Sequence, residues 1–470
     1  MGDIYKQGTR MLLSFLAAYF CCLAVLFPQS AAENAEKYRF YRERLLTEFM
    51  VVSDGNEPGT GIPASIRHAG RRQMRWGDAT INLSNYMAVL ATEYRRLKEQ
   101  GQPLEQTRHE LHLALLTKER LDVTAPDFFE AGDTHYGPDG FFIRDDVPAG
   151  FTTEWAWKNP AFRHFPDVSS DYTNPNIRAN EMSQDQVWNL VIGLSLIAAL
   201  VDDTTTWVIP EYYGAQRHTL AARAQLAGYR IISMMQDSYC IRIFGLDNSR
   251  ICLPYWHLRN PYTGNPVLRG SNPNLLKYGF AEAGNAITAH GFGNMHWANS
   301  VNGRIWFNLA AALQYLQRMR RNGNIDDLYH TATVATVGHV WSTRQLIRLF
   351  NRHHNRPSVA NQQYEHLALI ACLLHGDCPR ALQAERHWYE YLLNTAPRHG
   401  PFNYGQYAQA AEKQYTGYAR EEEYHHEWSS VNRFVWPQRR GPGTVEWHKG
   451  EYNGLDYLLL YNLFCLVYGE

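Results

Sequence analysis

The sequence lacks an excess of charge of either sign. Its 470 residues carry a formal net charge of −1. No basic stripe is available to follow a phosphate backbone, so nucleic acid is not an expected partner. Several motifs are also missing. There is no G-x-S-x-G, H-E-x-x-H or Walker-type loop, which removes the usual support for a serine hydrolase, a zincin or an NTPase. C-x-x-C and EF-hand spacings are absent, and no cofactor or metal is expected. Beyond the first residues no apolar run reaches the ~20 residues of a membrane span. No stable span is expected once the leader is removed.

What is present begins with that leader. Lys6 and Arg10 precede an uncharged run from Met11 to Phe27, and the small residues Ser30-Ala31-Ala32 follow. Basic, apolar and small-residue regions in this order read as a secretory signal peptide cleaved near Ala32. The expected address is secreted or periplasmic. Of 7 cysteines, Cys21 and Cys22 fall in the leader, leaving Cys240, Cys252, Cys372, Cys378 and Cys465. An oxidising compartment permits bridges, with Cys240–Cys252 and Cys372–Cys378 the nearest pairs in sequence. The odd count leaves a thiol over, and Cys465 lies in an apolar segment.

Helical periodicity recurs along the chain. Ile81, Tyr86, Val89, Leu90, Tyr94 and Leu97 form one stripe, stopped by Gly101. A second helix is expected after Thr107-Arg108-His109-Glu110, which has the pattern of a capping box. Ser183-Gln184-Asp185-Gln186 is another, and it opens a segment apolar nearly all round, from Val187 to Leu200. Further stripes lie at Ile305–Met319, Asp326–Phe350, Val359–His375, the segment of Leu382 to Leu392, and Tyr452–Tyr468. Long aromatic connections separate them: Ala125 to Glu181, Asp237 to Gly303 and Pro397 to Glu451. Long connections in compact domains tend to be functional.

Short turns alternating with long loops predict an all-α fold, an (α/α) toroid of antiparallel helical hairpins with long loops at one mouth. Residues 33–75 would pack on a toroid domain spanning 76–470. The segments "DGFFIRDD", "EMSQDQVWNLVIGLSL" and "GEYNGLDYLLLYNL" resemble secreted proteins with such helices. In architecture the chain resembles the six-hairpin (α/α)-toroid carbohydrate-active proteins. That resemblance implies a secreted glycan-degrading enzyme acting on an oligo- or polysaccharide.

Four constellations carry candidate chemistry. The loop Asp139–Asp146 sets Asp145 and Asp146 beside Arg144, a pattern that can split two carboxylate pKa values for inverting glycoside hydrolysis. A turn with a local ion pair is the blander alternative. Asp185 opens the buried helix, either toward a cleft or simply as a first-turn acid complementing the helix dipole. Glu427 and Glu451 are candidate partner carboxylates, in a segment that also holds His425, His426, Trp428 and Arg433. Adjacent histidines do not point the same way, so no metal is expected there. The Gly-rich stretch with Asn294, His296 and Trp297 suits a polysaccharide lyase with Tyr262 or Tyr278 as base, or else a helix-capping turn. Trp155 and Trp157 would line sugar subsites beside Arg144. A non-catalytic glycan-binding or surface-interaction protein is the third reading, since flat aromatics suit any amphipathic ligand.

Overall fold

A computed structural model describes residues 31–68, 71–132, 137–208, 217–242, 250–256, 259–265, 369–370, 372–374, 386–396 and 451–469. Helix α1 covers residues 31–44 and runs into a π turn at Leu45–Phe49. Strands β1 (Ile66–His68) and β2 (Gln73–Arg75) form a hairpin. Then come α2 (Ala79–Glu99), α3 (Glu105–Val123) and the short α4 (Ala125–Phe128) and α5 (Phe151–Glu154). A 3-10 turn at Pro160–His164 leads to β3 (Asp167–Ser169) and α6 (Gln184–Leu200). Beyond these lie β4 (Thr206–Val208), β5 (Arg217–Thr219), α7 (Leu220–Met235), β6 (Gln236–Arg242) and β7 (Arg250–Trp256). The last described elements are α8 (Arg386–Thr395), β8 (Glu451–Tyr452) and α9 (Leu455–Tyr468).

Helix α2 is the centre of the fold. Every residue from Ala79 to Tyr94 is buried, and α3, α6 and α9 pack around it. Its partner α3 runs antiparallel, since the Thr107 hydroxyl near the start of α3 donates to Glu93 near the end of α2 at 2.8 Å. The other two neighbours run parallel to it. Ser84 of α2 bonds the Asn189 carbonyl of α6, and Tyr94 further on bonds Asp202 just past α6. Asn453 before α9 donates to Asn82 at 2.9 Å, while Asn462 within α9 donates to the Val89 carbonyl at 3.2 Å. The N-termini of α2, α6 and α9 are thereby gathered at one end of the bundle. Close approach is built in: a Cβ at Gly193 of α6 would collide with the Ser84 carbonyl.

A sheet of order β3-β2-β1-β8 lies at that end, with β2 and β3 parallel and the other pairs antiparallel. Two small hairpins, β4-β5 and β6-β7, complete the described strands. This overturns the expected architecture. Among the described residues the helices form a compact bundle about α2, with small open sheets, and not a toroid of antiparallel hairpins around a mouth. The resemblance to six-hairpin carbohydrate-active proteins falls with it. Interdigitated apolar surface between α2 and its parallel neighbours is what the hairpin rule did not anticipate: α6 is apolar all round, with Val187, Leu190, Val191, Leu194, Leu196 and Ile197 fully buried, and it is held by packing on both sides. Each such side chain contributes roughly 1.5–3 kcal/mol.

Local signals fared better. Ser183 and Gln186 form the capping box of α6, and Gly101 follows α2 in the left-handed region at φ 64°. The second capping box does not form. Helix α3 begins at Glu105, two residues earlier, so Thr107 and Glu110 fall inside it and turn to the core. Tyr452 is in β8, and Gly454 at φ 77° opens α9 instead. The Ala125–Glu181 connection is folded: it holds α4, α5, 3-10 turns and β3. The stripes at Ile305–Met319 and Asp326–Phe350 lie outside the described residues. No described helix is long and apolar enough to cross a membrane.

Candidate functional site

The acid loop Asp139–Asp146 and the approach to α6 come together. An isolated antiparallel bridge joins Ile143 to Glu181. The Asn180 side chain then clamps the loop, accepting from the amides of Arg144 (3.0 Å) and Asp145 (3.1 Å) and donating to the Asp145 carbonyl (2.9 Å). Asp145 has no exposed surface. Its carboxylate accepts the backbone N–H groups of Asp171 (2.8 Å), Val147 (3.2 Å) and Tyr172 (3.3 Å). Burial pushes its pKa well above the usual carboxylate range, and the nearby Asp171 charge adds to this; the three N–H bonds oppose it.

Asp146 is equally internal. Arg120 of α3 grips it with two bonds, Nε to Oδ2 at 2.6 Å and an Nη to Oδ1 at 3.1 Å. The Gly59 amide completes its shell at 2.8 Å. Arg144 donates to the Glu181 carbonyl at 2.6 Å and lies 3.5 Å from both Asp78 and Asp171. Glu181, also buried, is tied to Arg178 at 3.2 Å and to Asn260 at 3.2 Å. These side chains fasten the loop to α2, α3 and the start of α6.

The same logic runs through α3, whose consecutive residues Lys118, Glu119 and Arg120 and then Asp122 are all buried. Lys118 pairs with Asp122. Glu119 pairs with Arg223 of α7, which also donates to Nδ1 of His112 at 2.7 Å. Asp122 accepts from the amides of Asp139 (3.0 Å) and Gly140 (3.2 Å). Tyr262, one candidate lyase base, donates its hydroxyl to Asp139 at 3.0 Å; burial first and the Asp139 charge second raise its pKa. A phenol held protonated in this way is a poor base. Sequence reasoning missed this ionic layer because the partners of Glu119 and Arg120, Arg223 and Asp146, lie far along the chain.

The remaining expected residues divide in two. Asp185 is placed in the first turn of α6 and Glu451 in β8, opposite Arg67; their side chains lie outside the description. Glu427, Asn294, His296, Trp297, His425, His426, Trp428 and Arg433 lie outside the described residues. So does Tyr278.

An open cavity of about 500 Å³ lies beside the sheet, lined by Arg67, Arg72, Ala161, His164 and Phe165. Arg67 is on β1, and Arg72 is in the β1–β2 turn at φ 52°, a left-handed conformation unusual for a non-glycine residue. The Arg67 guanidinium stands over the rings of Phe49 (5.2 Å) and Phe165 (5.4 Å) and pairs with Glu48 at 2.7 Å. Arg72 and His164 are exposed, and Phe165 is buried beneath them. Just before the same 3-10 turn, Trp155 and Trp157 stack with centroids 5.9 Å apart, and Trp157 is 72% exposed.

No family model, no curated protein and no solved structure matches the chain. The glycan-degrading enzyme therefore loses its scaffold: the toroid it required is absent from the described fold, and no relative restores it. No cluster of metal-ligating side chains occurs among the described residues.

Proposed function

We propose that this protein binds a ligand carrying an anionic group in the cleft of Arg67, Arg72 and His164. The observation that carries this reading is the held guanidinium of Arg67 on the wall of an open cavity, with a second arginine beside it. Two phenyl faces and one carboxylate restrain Arg67, so ligand capture costs little side-chain freedom. Arg72 makes no ion pair among the described residues, which leaves its forked donors for a carboxylate, sulfate or phosphate. Phe165 supplies an apolar floor.

The ligand class we propose is an oligo- or polysaccharide, whose C–H faces suit the loop aromatics. An acidic oligosaccharide offers an anion for the arginines and a C–H face for Trp157. Export through the Met11–Ala32 leader, to a secreted or periplasmic address, is part of the same reading.

Calorimetric titration with sulfate, inorganic phosphate and an oligouronate, taken separately at low salt, tests it. Arg72→Gly suits the left-handed backbone while removing the guanidinium. At least one of these anions should bind, and the variant should weaken that binding about tenfold, the effect of losing a ~1.4 kcal/mol charged contact. Equal binding by the variant, or no heat with any of the three, would reject the site.

A further inference from the structure

In the β6-β7 hairpin two cysteines occupy directly opposed backbone positions. In its antiparallel register Cys240 is the partner of Cys252, the third pair counted from Arg242 and Arg250. Directly opposed residues of an antiparallel pair lie on the same face of the sheet, with Cβ atoms ~4.5–5.5 Å apart. Their Cα separation, ~4.5–5.5 Å, falls within the ~4.4–6.8 Å that a disulfide spans. Cys372 is disulfide-bonded, whereas Cys465 is a buried free thiol in α9.

We infer that Cys240 and Cys252 form a cross-strand disulfide that staples β6 to β7. The chemistry is thiol–disulfide exchange with a small-molecule or protein disulfide as oxidant. One cysteine thiolate attacks the oxidant, forming a mixed disulfide and releasing one thiol. The second thiolate then attacks the protein-side sulfur of that mixed disulfide and releases the other. Two protein thiols become one disulfide, and the oxidant leaves as two thiols. Within the hairpin the bridge closes a short loop directly after α7, so it fixes the register of the two strands. It also assigns the remaining pairing by elimination. With Cys240 and Cys252 joined and Cys465 free, Cys378 is the thiol left for Cys372 outside the leader.

The test uses the full chain purified without reductant, unfolded with iodoacetamide present and digested with trypsin. Mass spectrometry should find peptide 231–242 linked to peptide 251–259, with the link lost on reduction and Cys465 carrying the alkyl label. Alkylated Cys240 and Cys252 in the unreduced digest would overturn the assignment, as would a link from either of them to Cys372 or Cys378. The Cys240→Ser chain supplies the second arm. It should expose one new alkylatable thiol, at Cys252. If Cys252 stays blocked in that variant, its partner is another cysteine and the inference fails.

Discussion

Arg120 holds Asp146 by two nitrogens, at 2.6 and 3.1 Å, and in doing so fixes the acid loop to the last turn of α3. Both groups are buried. Removing one partner leaves an uncompensated charge inside the protein. Asp146→Asn should therefore destabilise the fold by about 3–5 kcal/mol, read as a shift of the denaturant midpoint. A midpoint within ~0.5 kcal/mol of the parent, the scatter of a surface change, would show that the pair is not structural.

Lys37 reaches from α1 to the end of α8, donating to the carbonyls of Leu393 (3.0 Å) and Asn394 (2.9 Å). A cation there satisfies orphan carbonyls and complements the helix dipole. The nearby Asn34 donates to Asn394 at 2.7 Å. Lys37→Met keeps the apolar stem and should cost about 1.5–3 kcal/mol, the range for bonds to a charged group. Hydrogen exchange should rise first in residues 386–396; unchanged exchange there would count against the tie.

Gly140 sits at φ 100°, and a Cβ there would strike the backbone carbonyl of Arg230 in α7. Backbone strain alone costs on the order of 1–3 kcal/mol, and a carbonyl cannot swing aside as a side chain can. Gly140→Ala should lower the thermal midpoint by several degrees, more than Gly132→Ala, where φ is 71° and the space is open. Equal losses at the two sites would point to strain alone and remove the argument that Gly140 lets the loop pack closely on α7.

His112 is the group that ties stability to pH most cleanly. Burial, then the Arg223 charge, lowers its pKa to about 4 from an ordinary 6.5. The folded state thus binds fewer protons than the unfolded state between these values. Stability from this group is full above pH 6.5 and is lost as pH falls toward 4. His112→Gln can still accept from Arg223 but does not titrate. The thermal midpoint of the parent relative to this variant should drop on going from pH 7 to pH 4. A pH-independent difference would show that His112 is not held neutral.

How far the sequence led is clearest in α6 and α3. The apolar run from Val187 to Leu200 and the Ser183–Gln186 box mark α6 without any tertiary information. By contrast Lys118, Glu119, Arg120 and Asp122 belong to no apolar stripe, yet all four are buried. Two of their partners are remote: Asp146 for Arg120 and Arg223 for Glu119. No local pattern carries such pairings. The toroid expectation failed for a related reason. Periodicity locates helices but not the direction in which neighbours run, and the parallel contacts of α2 with α6 and α9 depend on residues far apart in the chain. Asp145 and Asp146 drew attention as an acid pair, but burial and internal donors decide what a carboxylate does. The cleft was not legible at all. Arg67, Arg72, His164 and Phe165 come from two segments with no motif between them, and strands of three residues are too short to show alternation.

An anion bound in that cleft is the property on which the proposed function rests. Crystals of the full chain soaked in selenate give a direct answer, because the anomalous signal of selenium locates the ion without assumption. A peak within hydrogen-bond reach of Arg72 and His164, at the wall formed by Arg67, is the predicted result. A saturating soak that shows selenium elsewhere on the surface and none in the cleft would contradict it.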